Sequence, residues 1–358
     1  MEVYSLSYQP SSEDHGGINP DELKRLGIDR KKLIDFSVNS NPYGPSLAVL
    51  AALQRVDVSL YPDRDCGEIR LALAQACRVA PHQVCVGNGT AELIWLIAQA
   101  FLQPGERVLI LGPTFGEYAR AATALGADVQ QVPASAPLFE PPVDMLLTAI
   151  QRKRPRLVFL CNPNNPTGKF LPCADVEMVA QVCGQDCLLV LDEAYRSFAD
   201  GQFFSSLPAE NCLVLRSMTK DFALAGLRLG YALGSTANID RLRQFQPAWS
   251  VNAFAQAAGL AALQNMEYYR ETLERLANLK NEFFSNLTTA GLIVVPSDVH
   301  FGMIALKRPA AQVRRMLLQH SIQVRDCASF GLPDYIRIST RKAMDNEKIL
   351  SFSSYLIV

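Results

Sequence analysis

From about residue 83 onward, short apolar runs bounded by turn residues alternate with longer stretches of helical periodicity, which predicts strands and helices in turn. The expected strands are VCVG (84–87), RVLIL (107–111), ADVQQV (127–132), RLVFLC (156–161), CLLVLD (187–192), CLVLRS (212–217) and LGYALG (229–234). Helical patterns lie between them at about 90–102, 115–126, 142–152 and 173–183. Repeated strand–helix–strand units predict an α/β fold with a mainly parallel seven-stranded sheet flanked by helices.

After residue 234 the pattern changes. Residues 236–289 are helix-like with two short interruptions and include a charged amphipathic run that suits a long connecting helix. Short strands follow near 291–295, 300–306, 322–326 and 335–339, with helices near 309–320 and 342–355. The expected organisation is an N-terminal arm and part of a small domain over 1–45, a large domain over 46–245, and a smaller α+β C-terminal domain over 246–358, joined by the N-terminal segment.

Composition narrows the function. The chain has 358 residues, 49% of them hydrophobic, which is enough for packed cores in two domains. Lys and Arg total 34 against 35 Asp and Glu, so no overall field favours nucleic acid or an anionic membrane. The nine cysteines lie in apolar segments without a C-x-x-C pair, which fits reduced thiols in a cytoplasmic protein and no metal site. The start of the sequence lacks an export-signal pattern, and the apolar stretch 93–102 falls short of the roughly 20 residues a membrane helix needs.

Four motifs follow predicted strands, where open α/β sheets place ligands. V-G-N-G-T-A-E (86–92) opens a helix, so the amides of Gly89, Thr90 and Ala91 can cradle a phosphate; alone it reads equally well as an ordinary turn. C-N-P-N-N-P-T-G (161–168) fixes an irregular loop that suits Asn165 for donating to a cofactor oxygen. V-L-D-E-A-Y (190–195) places Asp192 at an apolar strand's mouth, where a carboxylate needs a cationic partner such as a protonated pyridine nitrogen. In R-S-M-T-K-D-F-A-L-A-G-L-R (216–228), Ser217, Thr219 and Arg228 suit a phosphate and Lys220 projects into the site. The S-x-x-K spacing of Ser217 and Lys220 also occurs in serine acyl-transfer enzymes, but no S-D-N or K-T-G element accompanies it.

Together the motifs resemble the fold-type I pyridoxal-phosphate enzymes, the aspartate aminotransferase superfamily, over nearly the whole chain. The resemblance implies pyridoxal 5'-phosphate as cofactor, with Lys220 as the lysine that bonds it. It also implies that Asp192 pairs with the ring nitrogen, that Asn165 and Tyr195 lie at the phenolic oxygen, and that Ser217, Thr219, Arg228 and the Gly89–Ala91 amides hold the phosphate. Phe115 matches the aromatic residue that stacks on the ring, and Tyr61 matches the tyrosine that reaches a neighbouring subunit's phosphate, so a homodimer with shared active sites is implied.

Two subfamilies share these features, L-threonine-O-3-phosphate decarboxylase and histidinol-phosphate aminotransferase. The flanking motifs favour the decarboxylase: His15-Gly16-Gly17, the segment D-F-S-V-N-S-N-P-Y-G-P (35–45) with Asn41, Ala91 where aminotransferases commonly carry Asp, and P-A-W-S-V-N-A (247–253). By resemblance His15, Gly16 and Gly17 help cover a substrate phosphate, Arg337 binds the substrate carboxylate and Arg325 lies near the distal phosphate. Fixed guanidinium forks suit such anions. The expected reaction is decarboxylation of threonine phosphate for cobalamin side-chain synthesis, with serine phosphate also open. The aminotransferase is the alternative, and a non-catalytic pyridoxal-phosphate-binding regulatory domain is a third reading from another class.

Overall fold

The computed structural model describes residues 4–5, 16–201, 203–204 and 207–357. Its large sheet contains β1 (Tyr4–Ser5), β3 (Val84–Gly87), β4 (Arg107–Gly112), β5 (Asp128–Pro133), β6 (Leu157–Cys161), β7 (Leu188–Asp192), β8 (Cys212–Ser217) and β9 (Gly230–Leu233), while β2 (Ile34–Asp35) belongs elsewhere. The order is β1-β5-β4-β6-β7-β8-β9-β3. Strands β5, β4, β6, β7 and β8 run parallel, whereas β9 is antiparallel to both β8 and β3. The seven strands expected from sequence are all present, and the edge strand β1, antiparallel to β5, makes eight.

Strand β6 is apolar throughout its buried length and β7 is apolar up to its terminal Asp192, because helices cover both faces. Alternate side chains feed two separate cores. Val158, Leu160, Leu189 and Leu191 join helices Val143–Lys153 and Cys173–Cys183 on one face. Leu157, Phe159, Leu188 and Val190 join helices Gly89–Phe101 and Glu117–Ala124 on the other.

A second sheet, β10 (Ile293–Val294), β11 (Phe301–Ala305), β14 (Tyr335–Ser339) and β13 (Arg325–Asp326), has its own core around Phe283, Ile304, Leu317 and Ile336. Strand β2 pairs in parallel with β12 (Ile322–Gln323), and Phe36 enters that core, so the N-terminal segment is stitched to the C-terminal one. The 236–289 region is three helices, Thr236–Phe245, Ala253–Leu263 and Met266–Thr289, and only the last is long. Helix Ala253–Leu263, expected in the small domain from residue 246 onward, packs into the large-sheet core through Ala255, Ala258 and Ala262. Its small side chains permit that close approach, a packing property that helical periodicity alone does not reveal.

Candidate active site

Because β4, β6, β7 and β8 are parallel, their carboxyl ends and the loops that follow lie on one edge of the sheet. There, a cavity of about 430 Å³ is lined by residues including Ala91, Phe115, Asn165, Tyr195, Lys220 and Arg228, with Arg325 and Arg337 closing it from the other sheet and Gly16 from the N-terminal segment.

The phosphate-type end is built from backbone and hydroxyls. Helix Gly89–Phe101 starts with no side chain capping it, so its first N–H groups lack intrahelical acceptors and carry the positive end of the dipole. Gly89 has φ +76°, and a Cβ there would fall 2.7 Å from Arg228 Nη2, so the guanidinium lies directly over the helix start. Ser217 Oγ and Thr219 Oγ1 are 2.7 Å apart, and Ser217 Oγ accepts from the Thr219 N–H at 3.2 Å. This donor set suits a dianion.

At the end of β7, Asp192 is buried. Its carboxylate accepts from Tyr118 Oη at 2.7 Å and from the Ala194 N–H at 2.9 Å. Burial pushes its carboxyl up to about 6, while the Tyr118 hydrogen bond resists the shift. Burial also draws the Lys220 ammonium down to about 8, assisted by Arg337 and Arg228 and opposed by Asp192. A lysine so placed loses its proton near pH 8, well below an ordinary lysine, and becomes a usable nucleophile. The Tyr195 hydroxyl is raised to about 12 by burial, opposed by Arg337, and accepts from Asn39 Nδ2 at 3.4 Å.

The loop at 161–168 aims Asn165 by immobilising its neighbours. Asn162 Nδ2 donates to the Leu171 carbonyl and its Oδ1 accepts from the Leu171 N–H, at 2.9 and 2.8 Å. Asn164 Nδ2 donates to the Pro113 carbonyl and to Thr167 Oγ1, both at 2.9 Å. Asn165 is left facing the cavity, where its Oδ1 accepts from Arg337. The buried Arg337 also donates to the Ser37 carbonyl and lies over the Phe301 ring. Strand register sets Arg325 directly beside Arg337, and Arg325 Nη2 donates to Ser329 Oγ at 2.5 Å.

Other expected residues fall in different places. His15 lies outside the described residues. Gly16 lines the cavity, and a Cβ there would meet the Ser37 carbonyl at 2.6 Å, while the Gly17 N–H donates to Ser37 Oγ at 2.9 Å. Tyr61 is 83% exposed, with the Trp249 ring tilted against it at 5.1 Å between ring centres. Asn41, expected at the substrate, is not among the cavity-lining residues and spends its amide on the Asp221 carbonyl and Thr272 Oγ1.

Tyr118, Glu117, Arg120 and Ser37 were not singled out from sequence. Tyr118 lies three residues past Phe115 on the helix that covers β4, which was the one available signal for it. Glu117 accepts from Trp95 Nε1 at 2.9 Å and pairs with Arg120 at 3.2 Å. Among the described residues no group of His, Cys, Asp and Glu could hold a metal ion, and no helix is long and apolar enough to cross a membrane.

These groups fit pyridoxal phosphate: a dianion cradle, a buried carboxylate for a cationic ring nitrogen, and a desolvated lysine for an aldehyde. The comparisons agree. The aminotransferase class I and II family model matches residues 31–354. The chain is 33% identical over 335 residues to a histidinol-phosphate aminotransferase of Symbiobacterium thermophilum, covering 92% of this chain and 91% of that protein. Among solved structures, the Sinorhizobium meliloti histidinol-phosphate aminotransferase in complex with pyridoxal-5'-phosphate superposes with TM-score 0.86 at 24% identity, over 98% of both chains. The Porphyromonas gingivalis L-threonine-O-3-phosphate decarboxylase superposes with TM-score 0.79 at 26% identity, over 90% of this chain and 98% of that one. The chain belongs to the aminotransferase class I and II family of pyridoxal-phosphate enzymes.

Proposed function

We propose that this protein is a pyridoxal-phosphate-dependent aminotransferase acting on a small phosphorylated amine of the histidinol-phosphate type. One observation carries the reading: the desolvated Lys220 lies in a cavity that holds an anion cradle at Arg228 and, facing it from the other sheet, the adjacent arginines 325 and 337. The curated relatives named for that aminotransferase, alike over nine-tenths of the chain, favour it over the decarboxylation expected from the flanking motifs.

Pyridoxal phosphate, when bound, supplies an electron-accepting ring that allows a bond at the substrate's amine-bearing carbon to break. Arg228, Ser217, Thr219 and the Gly89–Ala91 amides would hold its phosphate, Phe115 would lie against its ring, and Asn165 and Tyr195 would orient its phenolic oxygen. Asp192, ionised above about pH 6, would hold charge opposite the ring nitrogen. Lys220 Nζ, unprotonated above about pH 8, would take a proton from the substrate carbon and return one to the cofactor carbon. Arg337 and Arg325 would hold the phosphate of the amine substrate and, in the second half-reaction, the two carboxylates of a dicarboxylic oxo acid such as 2-oxoglutarate.

A decarboxylase acting on threonine phosphate is the second reading. It is favoured by Gly16-Gly17 at Ser37, by Ala91 in the cradle, and by the likeness to the decarboxylase structure. The deciding experiment incubates the cofactor-loaded protein with threonine phosphate alone, and separately with histidinol phosphate and 2-oxoglutarate. Glutamate formation in the second mixture supports the aminotransferase. Stoichiometric carbon dioxide in the first, without glutamate in the second, overturns it.

The proposal includes a homodimer, supported by the exposure of Tyr61 and of the apolar Leu47, Val58 and Leu60. Sedimentation should give twice the chain mass; an active monomer would remove Tyr61 from the site.

A further inference from the structure

Asn41 is 3% exposed, and each of its polar groups is engaged. Its backbone N–H donates to the Lys220 carbonyl at 2.9 Å. Its side-chain Nδ2 donates to the carbonyl of the next residue, Asp221, at 3.1 Å and to Thr272 Oγ1 at 2.9 Å. Its Oδ1 accepts from the Tyr43 N–H at 3.1 Å, which fixes the amide's orientation. Thr272 in turn donates to the Tyr269 carbonyl at 3.0 Å, so its hydroxyl oxygen is turned to accept from Asn41.

We propose that Asn41 is a positioning residue that clamps the backbone carrying Lys220 and ties it to helix Met266–Thr289. Resting on the reading that Lys220 bonds the cofactor, the inference deepens it by assigning what aims that lysine. Two successive carbonyls, those of residues 220 and 221, are held by one residue from a remote segment. With both held, the 220–221 and 221–222 peptide planes are restrained, and with them the backbone from which the Lys220 side chain projects. A third, separate anchor is the Asp221 carboxylate, which accepts from Ser197 Oγ at 2.6 Å. The same helix carries Phe283 and Leu287 into the core of the second sheet, so the clamp links that sheet's packing to the lysine's aim.

The test compares Asn41→Ala with Thr272→Val in the cofactor-loaded protein. Thr272→Val is close in shape, touches neither lysine nor substrate, and keeps the proposal testable if Asn41→Ala does not fold. The readouts are kcat, KM, and the pH midpoint of the bound cofactor's visible band, which reports how the lysine lies among Asp192, Arg228 and Arg337. Asn41→Ala should lower kcat roughly tenfold, the worth of one or two hydrogen bonds, with KM within about twofold. The band's midpoint should shift, and Thr272→Val should shift it in the same direction by less.

A tenfold rise in KM with an unmoved midpoint in Asn41→Ala would make Asn41 a substrate contact and overturn the proposal. A midpoint unmoved in Thr272→Val, with kcat unchanged, would also overturn it. Neither result touches the assignment of Lys220, which fails separately if Lys220→Ala retains the band.

Discussion

The two ends of the cavity are built on different principles. The phosphate-type end comes from one sheet: a glycine-initiated helix, two hydroxyls two residues apart at the end of β8, and Arg228 just before β9. The facing end joins three remote segments, with Arg325 and Arg337 from the second sheet, Gly16 and Ser37 from the N-terminal segment, and Asn165 from the loop after β6. One end uses backbone, two hydroxyls and Arg228, all carried by a single sheet and its adjoining turns. The other uses long side chains whose positions depend on how two cores meet. Cofactor binding should therefore be robust to changes that disturb substrate selection, and the reverse.

Lys220→Ala falls between the two ends and should disable both, lowering turnover roughly a hundred- to ten-thousandfold, the range of a lost general acid–base. The visible absorbance of the loaded protein should vanish with it. Arg337→Lys breaks a two-pronged contact in a buried setting; about 2 kcal/mol, or roughly thirtyfold, should appear in KM, while the dissociation constant of the cofactor stays within a few fold. If cofactor and substrate affinity fell together, the two ends would not be separable.

Gly89→Ala addresses the opposite end. A side chain at φ +76° and against Arg228 should weaken cofactor binding by about 1–2 kcal/mol, or roughly five- to thirtyfold, with substrate preference unchanged when the cofactor is saturating. Cofactor titration followed by absorbance checks the first part, and competing substrates check the second.

The pH dependence sharpens the comparison further. Lys220 has its proton affinity lowered in the folded chain, so the neutral amine accumulates as pH rises through about 8. Capture of free pyridoxal phosphate by the cofactor-free protein should rise to that pH and then level, whereas an ordinary lysine would continue to about 10.4. The same depression means that the folded state binds fewer protons than the unfolded chain between those values, so stability from this group increases with pH across the window.

Tyr118→Phe should have the smallest effect. Removing its hydrogen bond leaves the Asp192 carboxylate less satisfied and raises its carboxyl above about 6. Cofactor affinity should then begin to fall at a higher pH as the solution is acidified, with substrate KM unchanged at neutral pH.

How much was legible follows the same division. Residues 86–92, 161–168, 190–195 and 216–228 each place a motif within a few positions of a strand end, and strand direction then fixes where those residues lie. Apolar runs determined the parallel strands, and the turn residues after them determined which side chains reach the sheet's edge. Asn41, which the resemblance puts at the substrate, spends its side-chain amide on a carbonyl and a hydroxyl instead, a difference that sequence likeness cannot reveal. Tyr118 was passed over because only the packing of its helix on β4 brings it to Asp192.

The sequence by itself determined the α/β order of elements, the placing of Asp192, Ser217, Thr219 and Lys220 at strand ends and, through motifs that resemble a known family, the cofactor, because each of those positions depends only on a strand and the turn that follows it. Tertiary structure alone decided the adjacency of Arg325 and Arg337, the clamp at Asn41, the Tyr118 bond to Asp192, and the union of residues 34–35 with 322–323. Those contacts join segments far apart in the chain, and local pattern cannot encode their distances: they exist only once the separate cores have packed.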